Sequence, residues 1–182
     1  MDRYTLIYPS WLECEAATQV ARELDVSLVG ERTSGEWPGG IEDAFTLGIG
    51  LLYGTPRGHR SEAERLAHAE GSLLRTVKAA GESARRRWMA GMIAGHIRAT
   101  RLNDPGRAES HFIGAGKVVE PGSLEDMASR YALARMYIQS GKPEMARQTL
   151  TDLVNTFEAF KATEVFNRAS ASLAELERKR TR

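Results

Sequence analysis

Four histidines, one cysteine and a run of arginines are the side chains of widest chemical reach in this chain. The histidines are His59, His68, His96 and His111. Metal sites on helices place two ligands three or four residues apart, so that both fall on one face. No His-x-x-x-His or Glu-x-x-His spacing occurs, so no metal and no cofactor is expected. Cys14 stands alone and can close no internal disulfide. A nucleophilic cysteine needs a base beside it, and no histidine partner can be argued for Cys14. Gly30-Glu31-Arg32-Thr33-Ser34-Gly35 has glycines spaced as in part of a phosphate loop, but lacks the lysine that reaches the phosphates, and reads as linker. No Gly-x-Ser-x-Gly motif is present. The carboxylate pairs Glu13/Glu15 and Glu125/Asp126 lie at expected helix starts. There they complement the helix dipole by about 0.3–1 kcal/mol each, and need no catalytic role. No catalytic residue is assigned, and an enzyme is the less favoured class.

Arg85-Arg86-Arg87, beside Trp88, is the sharpest basic cluster. Three cations at a helix start oppose the dipole, a misfit that points to an acidic or phosphorylated partner. The C-terminal Arg178-Lys179-Arg180 suits a helix end and needs no ligand. The formal net charge of +1 gives no bulk attraction to nucleic acid, so no nucleic acid is expected. No stretch approaches the ~20 apolar residues of a membrane span, and no early run resembles a signal peptide. With 42% hydrophobic and 27% charged residues, the composition is that of a soluble globular domain, expected in the cytoplasm.

Helices must position these groups. Ser10 and Glu13 form a capping box before a helix from Trp11 to about Leu24, flanked by extended runs at Tyr4–Tyr8 and Val26–Val29. Thr33–Gly40, with three Gly and one Pro, is a linker that divides residues 1–40 from a helical domain over 41–182. Helices are then expected over Glu42–Tyr53, from Ser61 to about Ala79, over Ala84–Arg101, from Pro105 to before Pro121, over Leu124–Ser140, from Pro143 to about Phe157, and over Thr163–Lys179. The fold class is all-α.

Residues Ser123–Phe160 carry a recurrent pattern. Ala134, Tyr137, Gly141, Ala146, Leu150 and Leu153 supply a small contact residue, an aromatic one turn on, a glycine turn, and a small-then-large rhythm in the second helix. Shifted by 38 residues, Ala146, Leu150 and Leu153 fall on Ala108, Phe112 and Ala115, and Lys142-Pro143 falls on Asp104-Pro105. The first helices match less well, with Ala134 meeting His96 and Tyr137 meeting Ala99. The segment resembles the tetratricopeptide repeat family. It departs from that family at Arg130, where an aromatic is commoner, at Glu158, where a proline closes the repeat, and in its spacing of 38 residues against the usual ~34. Residues Glu42–Ala79 could form an earlier, degenerate copy.

The resemblance implies an antiparallel stack of helix hairpins, a solenoid whose concave side binds another protein or peptide, with Thr163–Lys179 as the terminal cap. It places Ile93, Ile97, Arg101, Tyr131, Arg135, Ile138 and Gln139 among the groove-lining positions, a mixed surface suited to a peptide bearing an acidic group. The expected function is an adaptor or scaffold. Alternatives are a chaperone for a secreted or assembling client, and a small-ligand sensor or enzyme with an aromatic wall of Trp11, Trp37 and Tyr53. Self-association into a homo-oligomer, through the Arg-rich helix or the end of the stack, is a further expectation.

Overall fold

A computed structural model describes residues 61–79 and 81–180. The expectations for residues 1–60 lie outside the described residues. These are the extended runs, the helices Trp11–Leu24 and Glu42–Tyr53, the linker, Cys14, His59 and the Trp11/Trp37/Tyr53 wall.

The described chain is all-helical. Six α-helices follow one another: α1 Glu62–Lys78, α2 Ala84–His96, α3 Pro105–Gly116, α4 Leu124–Gln139, α5 Pro143–Thr156 and α6 Glu164–Arg180. Their starts are set chemically. The side chains of Ser61, Ser83, Asp104 and Ser123 each accept a hydrogen bond from the backbone N–H three residues on. Thr163 Oγ1 accepts from Phe166 N–H in the same way. These bonds satisfy donors that a helix leaves open at its first turn. Pro105 and Pro143 occupy the first turns of α3 and α5, where a missing N–H costs nothing.

Short connections turn the chain back on itself, so each helix packs on the next in sequence, and α4 also meets α6. Two apolar clusters result. One joins α1, α2 and α3 to Ala128, Ala132 and Met136 of α4. The other joins Met127, Tyr131 and Ala134 on α4 to α5 and α6. Helix α4 therefore buries opposite sides, one in each cluster. The last helix, α6, buries Val165, Phe166 and Ala169 and leaves its charged outer side in water.

The helices α1, α3 and α5 share one core rhythm. Ala69, Ala108 and Ala146 have 0% exposure, at spacings of 39 and 38 residues. Four residues on stand buried Leu73, Phe112 and Leu150, and three further on Thr76, Ala115 and Leu153. The small residue lets neighbouring helices approach, and the larger one fills the space beyond it.

The turns between paired helices reveal one difference. After α4, Gly141 takes φ 71°. Lys142 N–H bonds Tyr137 C=O at 2.8 Å and Gly141 N–H bonds Ile138 C=O at 3.2 Å, a Schellman closure. At the matching place after α2, Asn103 takes φ 50°. There Asp104 N–H reaches one residue further back, to Arg98 C=O at 2.8 Å, and Leu102 N–H bonds Ile97 C=O at 3.0 Å. The expected helix over Ala84–Arg101 thus keeps α geometry only to His96 and ends in a π turn, Ile97–Arg101. That turn holds one extra residue. Upstream of it the two first helices correspond at a spacing of 39, so Ala134 is matched by Gly95 and not by His96. A Cβ on Gly95 would lie 2.6 Å from the Phe112 ring, and one on Gly91 3.1 Å from Ala115 Cβ. Both glycines let α2 lie against α3. The position matched by Gly91 holds Arg130. Its guanidinium bonds Asp126 at 2.9 Å and stacks 5.4 Å from the centre of the Phe157 ring.

Candidate interaction site

Ten successive residues, Trp88 to Ile97, are buried. Helices α1 and α3 flank this stretch, and Trp88 Nε1 donates to Ser129 Oγ of α4 at 2.8 Å. Ile93 and Ile97, expected to line an open groove, belong to the first apolar cluster. Tyr131, expected beside them, is buried in the second. All three are core residues, because their helices have neighbours on both sides and burying such a side chain is worth about 1.5–3 kcal/mol.

A polar junction interrupts the core where α1, α2 and α3 meet. Glu70 of α1 is 4% exposed. Arg98 grips it with two bonds, Nε to Oε1 at 2.7 Å and Nη2 to Oε2 at 2.5 Å. His111 of α3 donates from Nε2 to Glu70 Oε1 at 2.9 Å. Burial alone would raise the Glu70 carboxyl, but the bonds from Arg98 and His111 outweigh it and hold the group below its ordinary range. Arg98 also lies 3.6 Å from Asp104, the cap of α3. A carboxylate so fully engaged is a structural link and not a free base.

Next to it, the buried His96 ring sits 3.0 Å from Thr100 Oγ1. That hydroxyl donates to the His96 carbonyl at 2.9 Å, so it accepts from Nε2–H and selects that neutral tautomer. Burial first, and the charge of Arg101 second, push His96 down to about 3. Tyr137 donates to Glu109 at 2.8 Å, and burial with this bond pushes it up to about 12. Among the described residues no group of three His, Cys, Asp or Glu is placed to hold a metal.

The remaining expected positions stay accessible. Arg101 ends the π turn and pairs with Glu62. Ile138 is 36% exposed and Gln139 lies beside it at the end of α4. Arg135 is half-buried, and its charge reaches Glu175 of α6, which Lys179 bonds directly at 2.7 Å. Arg101 and Gln139 occupy matching places where a first helix ends. Met145, 41% exposed, follows across the turn and borders a shallow open depression along α5 with Gln148, Thr151 and Asp152. Arg85 is exposed, while Arg86 and Arg87 are half-buried and Arg86 lies 3.6 Å from Glu82.

Sequence reasoning passed over Glu70, Arg98 and Met145. Glu70 and Glu109 each follow the core alanine of their helix, a signal visible only at a spacing of 39. No protein-family model, curated protein or solved structure matches this chain.

Proposed function

We propose that the chain is a tetratricopeptide-like repeat protein that holds another polypeptide, as an adaptor or scaffold. The observation that supports this most is the common rhythm of α1, α3 and α5, with Ala69, Ala108 and Ala146 each followed by a large apolar residue one turn on. Such hairpins are extended binding platforms because each unit contacts only its neighbours, leaving long faces open. With Ile93, Ile97 and Tyr131 in the core, the contact surface is the edge where first helices end. It carries Ile138 and Gln139, with Arg135 and Met145 at its border, and suits a partner segment with an apolar anchor and an acidic group.

The test begins with photo-crosslinking from position 138 in the native cell, followed by titration of the purified partner. Ile138→Glu and Arg135→Glu should each weaken binding at least about tenfold, which is ~1.4 kcal/mol, while helicity by circular dichroism stays constant. Arg101→Glu is avoided because it would set two carboxylates together at Glu62. Equal affinity of both variants and the wild type removes this edge from the binding surface.

A further inference from the structure

Two buried faces near the start of the described residues point to a helix before α1. The first is on α1 itself. Helix α2 packs along the side of α1 that carries Glu70, which Arg98 of the π turn bonds. Leu73, at 0% exposure, and Thr76, at 1%, stand three and six residues further on. Their counterparts in α3, Phe112 and Ala115, lie against Gly95 and Gly91 of α2, the helix before. Leu150 and Leu153 of α5 likewise share a cluster with Ala134 of the helix before them. By the same rule, Leu73 and Thr76 face a helix that precedes α1. The second face is on α2. Ala128, Ala132 and Met136 join α4 to the preceding unit, in the first cluster. The α2 residues matched to them at a spacing of 39 are Met89, Ile93 and Ile97, at most 3% exposed. A helix that covers both faces is the first helix of a preceding hairpin.

We propose that residues 42–54, which lie outside the described residues, dock on this joint face of α1 and α2 and complete α1 as the second helix of a further hairpin. Gly50-Leu51-Leu52-Tyr53-Gly54 repeats the pattern of Gly91-Met92-Ile93-Ala94-Gly95, two glycines four apart around apolar residues, and Leu47 stands where Trp88 stands. The glycines of α2 are what lets it lie against α3. The correspondence sets Gly54 opposite Leu73 and Gly50 opposite Thr76. The spacing to α2 is 41 residues and not 39, and the connection accounts for it. Ser61, the cap of α1, precedes Leu73 by 12 residues, which is about 18 Å of helix. Seven steps of extended chain from Gly54 to Ser61 reach ~23 Å, enough to close the hairpin. The place that a guest would take beside Ile93 is thereby filled by the chain itself.

The full chain tests this in two ways. In a Cys14→Ser background, Gly50→Cys with Thr76→Cys should close a disulfide on mild oxidation. A Cβ on the matching Gly91 lies 3.1 Å from Ala115 Cβ, near the ~3.8 Å of a disulfide. Gly50→Cys with Gly71→Cys, on the exposed side of α1, should stay reduced. Peptide mass mapping reads both pairs. A folded 50/76 variant that stays open, or equal closure of the two pairs, overturns the proposal. Hydrogen exchange of the wild-type chain needs no substitution. A lone helix of this length is marginal in water. Amides of residues 45–53 slowed by about a hundredfold or more therefore report docking. Free exchange there overturns the proposal. So does protection confined to residues 12–24, which gives the seat to the earlier expected helix.

Discussion

Gly95 and Phe112 should behave as one unit, and their replacement by Ala and Leu recreates a pair found one repeat downstream. A Cβ on Gly95 meets Phe112 at 2.6, 2.8 and 3.1 Å along one side of the ring. Phe112 is fully buried and cannot swing away. Overpacking of this kind costs about 1–3 kcal/mol, and the shortness of the contact favours the upper end. Replacing a helical glycine by alanine returns about 1 kcal/mol. Gly95→Ala should therefore destabilise by about 2 kcal/mol net. Phe112→Leu removes three buried carbons, worth ~0.8 kcal/mol each, hence also about 2 kcal/mol. The matching positions downstream are Ala134 and Leu150, both buried in one cluster. In the double variant the new methyl group occupies space the ring has left, so the total should stay near 2 kcal/mol and not reach 4. Urea denaturation of the four proteins, at unchanged slope, gives a coupling energy of about 2 kcal/mol. Additivity within ~0.5 kcal/mol would show that the two residues do not touch and that the 39-residue correspondence is wrong.

Gly71 supplies the contrast: it lies exposed in α1, and a methyl group added there would meet nothing within 4 Å, so Gly71→Ala should raise stability by about 0.5–1 kcal/mol in the same assay. Glu70→Gln removes the nearer of the two carboxylates beside Arg98, leaving Asp104 at 3.6 Å, and should cost about 2 kcal/mol, seen as a lower urea midpoint. Because the Glu70 carboxyl is held low, its contribution is present above the unfolded value of 4.5 and is lost as pH falls below it. His96 acts at higher pH. Its folded value of about 3 lies below the unfolded 6.5, so the unfolded chain takes up a proton first as pH drops. Stability is whole above 6.5 and declines toward 3 by at most ~1.4 kcal/mol per pH unit. Between pH 7 and 5 the urea midpoint of the wild type should fall more than that of His96→Gln, and parallel lines would contradict the assignment.

The helices were legible because their punctuation is local. Ser61, Ser83, Asp104-Pro105, Ser123 and Pro143 announce starts by chemistry that acts within four residues, and each stands at a start in the structure. The small-then-large rhythm of α3 and α5 was legible for the same reason, being set by two residues one turn apart. What the sequence hid was a single residue of offset. A π turn has no signature of its own in residue type, since Ile97-Arg98-Ala99-Thr100-Arg101 is an ordinary helical string. Its only trace is numerical. Phe112 needs a residue without a Cβ opposite it, Gly95 is that residue, and bringing the two together demands one place more than a regular α-helix provides. The poor match of Ala134 to His96 was therefore a displaced match to Gly95. The surface was harder still. Ile93, Ile97 and Tyr131 carry the same side chains whether they face a guest or a neighbouring helix, and burial is decided by how closely units stack, which small residues on other helices control. Ile138 and Gln139 are exposed in the last turn of α4, just before the chain departs through Gly141, whereas Met136 and Tyr137 of the same turn face the first apolar cluster. The binding surface proposed for this chain follows these exposed positions along the turns of the stack.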